Sequence, residues 1–244
     1  MDNMVNPVSI IVQAHMGSTR LKNKMLKELC GISVLGHVLE RLKRAKNVEQ
    51  IIVATSILPE DEILVKECKK YDIQVYRGSN DDVLERFYQT ACRFEVAHIA
   101  RICADNTLVD WEIIDEEIKI YQQGIYDVVT TGKSVPLGLG CEIFSMDWLT
   151  EAYKNATERY QHEHVTPYIY EQTNNVYHYD ILQDYSEYRF TLDTQEDWEF
   201  LNKIYSELYP QKPDFLLSDV ISLINANPDW ANINRNVYQK TMYE

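Results

Sequence analysis

A chain of 244 residues, 45% hydrophobic and 25% charged, has the make-up of a folded protein with a sizeable core, which excludes a disordered chain. Its formal net charge of −14 repels a phosphate backbone over most of the surface, so no nucleic-acid partner is expected and any anion must bind locally. The opening "MDNMVNPVSIIVQA" has no basic stretch ahead of an apolar run only one strand long, which speaks against a signal peptide or membrane span and for a cytoplasmic protein.

"VSIIVQ" (8–13) reads as a buried strand from its unbroken apolar run. Charge then concentrates: no acid stands between Asp2 and Glu28, while Arg20, Lys22, Lys24 and Lys27 crowd together. A strand followed at once by a Gly/Ser/Thr loop sets backbone N–H groups at the carboxyl end of a sheet, where open α/β sheets bind ligands. Gly17 lets the main chain approach closely, Ser18 and Thr19 add hydroxyl donors, and Arg20 with Lys24 can neutralise a polyphosphate. The loop running from Ala14 and His15 to Lys24 is therefore a candidate triphosphate cradle. A solvated basic turn that offsets acidic helices is the alternative. The loop matches neither the G-x-x-x-x-G-K-[ST] nor the G-x-G-x-x-G pattern.

Further along, "SVLGHVLERLKR" (33–44) reads as a helix capped by Ser33, "QIIVAT" (50–55) as a strand, and "PEDEILVKECKKY" from Pro59 as a helix with acids first and lysines last. A strand at 73–77, a helix at 80–94 capped by Asn80 or Asp81, a strand at 97–102, a helix at 111–124 and a strand at 127–131 continue the alternation. This order implies a mostly parallel sheet covered by helices. Beyond 131 the rhythm loosens into strands at 141–145, 176–182 and 188–192, with helices at 147–155, 162–173, 194–208 and 216–227. The expectation is one α/β domain over 1–244, with a mixed sheet in its C-terminal part.

Cys30, Cys68, Cys92, Cys103 and Cys141 include no C-x-x-C pair and read as buried free thiols. His162 and His164 flank Glu163, but residues two apart on a helix face different ways, so zinc is not expected there. Arg101 precedes Asp105 on a strand whose end faces the basic loop. It is a candidate phosphate or acceptor contact, or else an ion-pair partner for a neighbouring helix.

Taken in order, "IIVQAHMGSTRLKNKML", "GISVLGHVLERLKRAK", "IIVAT", "YRGSNDDVLERFYQTA", "RICADNTLVD", "EHVTPYIY" and "RFTLDTQEDWE" resemble the cytidylyltransferase family of spore coat polysaccharide biosynthesis protein F. More distantly they are similar to the CMP-sugar synthetases for Kdo and sialic acid. The resemblance implies a Rossmann-like nucleotidyltransferase fold of the glycosyltransferase-A type. It implies Mg²⁺-dependent transfer of CMP from CTP to a small sugar-like acceptor, with release of pyrophosphate, in surface polysaccharide biosynthesis. On the same ground Arg20 and Lys24 hold the triphosphate, and Asp105 and Asp193 bind the metal. Read from the residues alone, both aspartates are equally caps of a following turn or helix.

By resemblance too, Ser79 and Asp82 lie near the nucleotide, while Glu142, Glu163 and His164 lie on the acceptor side. The 1–131 half would then bind nucleotide, and the 132–244 half would face the acceptor and form a homodimer. Three departures from the family pattern stand out. His15 replaces an arginine, Lys22 and Asn23 replace Pro-Gly, and Leu137 and Gly140 replace an arginine and an aspartate in "LGLGCE". Asn106 and Thr107 also stand where Cys-Pro is usual. Two other functions fit the same residues: a glycosyltransferase using a nucleotide-sugar donor, and a catalytically weakened nucleotide-binding protein.

Overall fold

The computed structural model describes residues 6–241, so the reading of the first five residues lies outside it. Strand β1 (Val8–Gln13) is almost wholly buried, apolar on the face of Val8, Ile10 and Val12 and carrying Ile11 between Ser9 and Gln13 on the other, as suits the middle of a sheet covered on both sides. The chain then passes through the basic loop and a 3-10 turn (Lys24–Leu26) into a hairpin, β2 (Glu28–Leu29) and β3 (Ile32–Ser33). The sequence reading did not foresee that hairpin. Cys30 and Gly31 both take positive φ in its two-residue turn, as a tight hairpin requires.

Helix α1 (Val34–Leu42) begins where expected, with the Ser33 hydroxyl accepting from the Gly36 N–H at 2.9 Å. Then follow β4 (Val48–Ser56), α2 (Glu62–Lys70), β5 (Gln74–Gly78), α3 (Val83–Arg93), β6 (His98–Cys103), α4 (Trp111–Tyr121) and β7 (Val128–Thr131). The C-terminal part supplies β8 (Glu142–Ser145), α5 (Met146–Asn155), α6 (Arg159–His164), α7 (Pro167–Gln172), β9 (Val176–Tyr179), α8 (Gln195–Leu208) and α9 (Leu217–Ala226).

Among the described residues one seven-stranded sheet, ordered β5-β4-β1-β6-β8-β7-β9, takes strands from both halves of the chain. The pairs among β5, β4, β1 and β6 are parallel, β8 runs antiparallel to β6 and β7, and β9 returns parallel to β7. The fold is the mostly parallel mixed sheet flanked by helices that the sequence implies. Period-two alternation along β1 separates two cores: Val8, Ile10 and Val12 pack with α1, α4, α8 and α9, while Ile11 packs with α3, α5 and α7.

Four expectations need correction. Residues 188–192 are extended and largely buried but join the sheet nowhere; a single bridge pairs Arg189 with Leu137, and the Leu192 N–H donates to the Asp105 carbonyl at 3.0 Å. The helix expected over 162–173 is two helices, broken at Val165 (φ 71); Pro167 opens the second one, at a first-turn position where its missing N–H costs nothing and where a continuous helix would have lost a hydrogen bond. The cap of α3 is Asp82 rather than Asn80 or Asp81. Cys30 and Cys92 are exposed and Cys103 is half-buried, so only Cys68 and Cys141 are the buried thiols expected of all five.

Candidate active site

Parallel strands open their carboxyl ends on one edge, and the basic loop after β1, the turn after β5 and Asp105 just past β6 all fall there. The loop is pinned from beneath. Buried Asp61 accepts from the Met16 N–H at 2.6 Å through one oxygen and from the Ser56 hydroxyl at 2.5 Å through the other. Nothing in the sequence singles out Asp61, which reads as one more acid in a first helical turn.

Asn23 adopts a left-handed conformation (φ 56), tolerated by asparagine, and so turns the chain to send Lys24 inward. The buried ammonium donates to Asp105 Oδ2 at 2.9 Å, Asp193 Oδ1 at 3.0 Å and the Leu192 carbonyl at 2.8 Å. Burial opposes its charge, but the two carboxylates outweigh burial and raise its pKa. Asp193 mirrors this. Burial pushes its pKa up, yet Lys24, Arg20 and Arg189 together hold it below the ordinary carboxylate value. Arg20 reaches Asp193 Oδ2 at 3.2 Å and Arg189 reaches the same oxygen at 2.9 Å.

The four residues singled out for chemistry thus converge, although they come from three widely separated segments. Two carboxylates and a main-chain carbonyl surround one positive charge, an all-oxygen set of the kind hard Mg²⁺ takes. Among the described residues no three His, Cys, Asp or Glu side chains gather to hold a metal unaided. A cation there would depend on oxygens from a bound nucleotide for the rest of its shell.

Beside this cluster opens a cleft of about 720 Å³. Gln13, His15 and Gly17 from the loop line it together with Arg86, Glu163 and His164. Burial and the nearby Lys24 charge lower the His15 pKa, so its imidazole is neutral near pH 7. A β-carbon at Gly17 would stand 3.1 Å from the His15 ring, so the small residue keeps that ring in place. Ala14 is buried and extends the strand pairing through its N–H to Ala54, whereas Ser18 is half-buried and Thr19 exposed.

Other expected contacts are already engaged within the chain. Ser79 and Asp82 cap α3: the Ser79 hydroxyl accepts from the Asp82 N–H at 3.1 Å, and Asp82 accepts from the Glu85 N–H and pairs with His162 at 2.8 Å. Arg101 pairs with Glu142 and donates to Gln13 at 3.1 Å. The other Glu142 oxygen accepts from Thr166 at 2.9 Å and Tyr170 at 2.8 Å. Glu163 is exposed and near Arg159. The sequence also gave no hint of the buried pair Arg189–Asp197 behind Asp193, because Asp197 looks like an ordinary capping-box acid.

The model of a family described as cytidylyltransferase matches residues 9–221. The chain belongs to the cytidylyltransferase family. Among its relatives, spore coat polysaccharide biosynthesis protein SpsF of Bacillus subtilis is 32% identical, over 93% of this chain and 98% of that one. An uncharacterized protein of Methanocaldococcus jannaschii is 41% identical over 96% and 97% of the two chains. The structure of a cytidylyltransferase from Leptospira borgpetersenii serovar Hardjo-bovis superposes with a TM-score of 0.87 at 31% identity, covering 96% of this chain and 99% of that one. The similarity to Kdo enzymes is distant: a 3-deoxy-manno-octulosonate cytidylyltransferase of Brucella ovis is 26% identical over 51% of this cytidylyltransferase and 50% of its own length.

Proposed function

We propose that this enzyme transfers CMP from CTP to a small sugar-like acceptor and releases pyrophosphate, in the making of a surface polysaccharide. The observation that carries the reading is the convergence of Lys24 and Arg20 on Asp105 and Asp193 at the mouth of the loop. An acceptor oxygen attacks the α-phosphorus, a new P–O bond forms, the bridge to the β-phosphate breaks, and the acceptor loses its proton. Negative charge grows on phosphate oxygens throughout, so placed cations contribute more than any covalent protein group.

In this reading Asp105 and Asp193 hold Mg²⁺, which when bound supplies positive charge to the phosphate oxygens. Lys24 leaves its carboxylates to meet the triphosphate, and Arg20 at the loop's rim meets it from the solvent side. Neutral His15 adds no charge, so the loop's grip on the anion falls to Lys24 and Arg20, with Lys22 between them in sequence as a further cation. The acceptor lies toward Glu163 and His164 in the cleft. The name of one relative supports the polysaccharide setting. The proposal also takes the protein as cytoplasmic and dimeric, which no relative's name addresses; among the described residues no helix is long and apolar enough to cross a membrane.

Pyrophosphate release from each of the four nucleoside triphosphates, with Mg²⁺ and a panel of sugar acids, sugar phosphates and phosphonates, tests the reading. Release that needs CTP and an acceptor is expected. A nucleotide-sugar donor consumed without pyrophosphate would instead indicate a glycosyltransferase. CTP binding without turnover over the whole panel would favour a weakened binding protein, the reading that neutral His15 and exposed Leu137 point toward.

A further inference from the structure

We propose that Arg189 and Asp197 form a clamp that sets the Asp193 carboxylate for a divalent cation, acting as positioning residues without touching the reacting groups. The proposal rests on the reading of Asp193 as a metal ligand. Arg189 donates from Nε to Asp197 Oδ1 at 2.9 Å, from one terminal nitrogen to Asp193 Oδ2 at 2.9 Å, and from the other to Gln239. Its guanidinium therefore holds, from the protein side and with Arg20 from the loop, the Asp193 oxygen that Lys24 does not, which leaves Oδ1 to face Lys24.

Asp197, fully buried, grips the same residue a second way. It accepts from the main-chain N–H groups of Asp193 and Thr194, each at 3.0 Å, and from Asn234 at 2.9 Å. Backbone and side chain of Asp193 are thus both tied to one buried anion. The bond from the Thr194 N–H is the capping-box half of Asp197's duties, reciprocated by the Thr194 hydroxyl at 3.3 Å, but capping does not account for the bonds from the Asp193 N–H, Asn234 and Arg189. Nor does stability, since a buried ion pair roughly breaks even against apolar residues of like volume. What the pair supplies is a fixed carboxylate, and partners behind a metal-binding carboxylate commonly govern cation affinity about 10- to 100-fold.

Positioning and charge balance predict opposite signs. Removing a cation next to Asp193 favours a second cation on electrostatic grounds, whereas loss of a clamp weakens it. The test is Mn²⁺ binding to the full chain with CTP and no acceptor, read from the free-ion electron paramagnetic resonance signal, for wild type, Arg189→Met and Arg189→Lys. Arg189→Lys keeps the charge and loses the fork. Arg189→Lys is expected to melt within a few degrees of wild type, and Arg189→Met, which leaves the fully buried Asp197 without its cation, about 10 °C lower while still folded at the assay temperature. Both are expected to need at least tenfold more Mn²⁺, and pyrophosphate release by Arg189→Lys should recover at saturating Mn²⁺. Wild-type affinity in a folded Arg189→Lys, or tighter binding in Arg189→Met, overturns the clamp. Failure of both variants to fold overturns it as well, because the pair would then serve folding. If wild type itself binds no Mn²⁺ with CTP, the metal assignment of Asp193 falls first.

Discussion

Lys24 and Asp193 lie 169 positions apart in the chain and 3.0 Å apart in space, with Asp105 completing the contact at 2.9 Å. An ammonium is held by two carboxylates there, so if Asp105 and Asp193 hold a metal ion, lysine and metal compete. Lys24→Met is expected to bind Mn²⁺ in the absence of nucleotide at least tenfold more tightly than wild type, as titration of the free ion will show. The same variant should lose about 100-fold or more in pyrophosphate release, the usual cost of one charge-stabilising donor. Its stability should fall by about 1–3 kcal/mol, because two half-buried carboxylates lose a hydrogen-bonded counter-ion while Asp193 keeps its two arginines. Unchanged Mn²⁺ affinity would mean that lysine and metal do not share the site.

Asp61 anchors the loop through two oxygens, one facing the Met16 N–H and the other Ser56. In Asp61→Asn one of those positions becomes an NH₂ group that faces a donor. A loss of about 1–3 kcal/mol in stability is expected from the unsatisfied groups. If the loop is the triphosphate cradle, KM for CTP rises several-fold while KM for the acceptor stays put. Steady-state kinetics on both substrates decide it, and an unchanged KM for CTP removes the loop from the nucleotide site.

Much of the parallel half was legible because its strands carry unbroken apolar runs and its helices carry caps, both local properties. The miss at 188–192 has a physical cause. Apolar alternation there reports burial of Phe190 and Leu192 against the core, and burial does not require a neighbouring strand. That one helix would not run through 162–173 could have been inferred from Pro167, which lacks the N–H a continuous helix needs there. At the site, Arg20 and Lys24 were legible in the basic Gly/Ser/Thr loop that follows a strand, whereas Asp105 and Asp193 were found through family resemblance, since no local spacing joins residues so distant in the chain. Asp61, Arg189 and Asp197 were missed because only their long-range partners distinguish them from surface charges.

Two nearby glycines behave oppositely. Gly138 has φ +104, and a β-carbon there would stand 2.2 Å from the Thr191 main-chain nitrogen, whereas one at Gly140 meets nothing within 4 Å. Gly138→Ala is expected to cost about 1–3 kcal/mol, measurable by thermal or urea unfolding. Gly140→Asp, which places the carboxylate usual in the resembling family into open space, should stay within about 0.5 kcal/mol of wild type. It should change KM for acceptors but not for CTP. Equal effects on both substrates would place Gly140 away from the acceptor.

Glu117 gives a prediction in pH. The side chain is fully buried on α4, its Oε1 accepts from the Thr131 hydroxyl at 2.7 Å, and among the described residues its Oε2 has no partner. Cys141 is the other titratable group in contact, and it remains a thiol because burial drives its pKa well up. Burial raises the Glu117 pKa to about 8, against 4.5 ordinarily, with the Thr131 bond opposing only in part. Between those two values the folded chain keeps a proton that the unfolded chain has lost. Stability is therefore greatest below pH 4.5 as far as this group is concerned, falls as pH rises toward 8, and levels off above it. Glu117→Gln carries no such slope. Its advantage over wild type should be near zero at the acid end and on the order of 4 kcal/mol at pH 9, as urea unfolding across that range will show. A difference independent of pH would mean that Glu117 is already ionised in the folded protein.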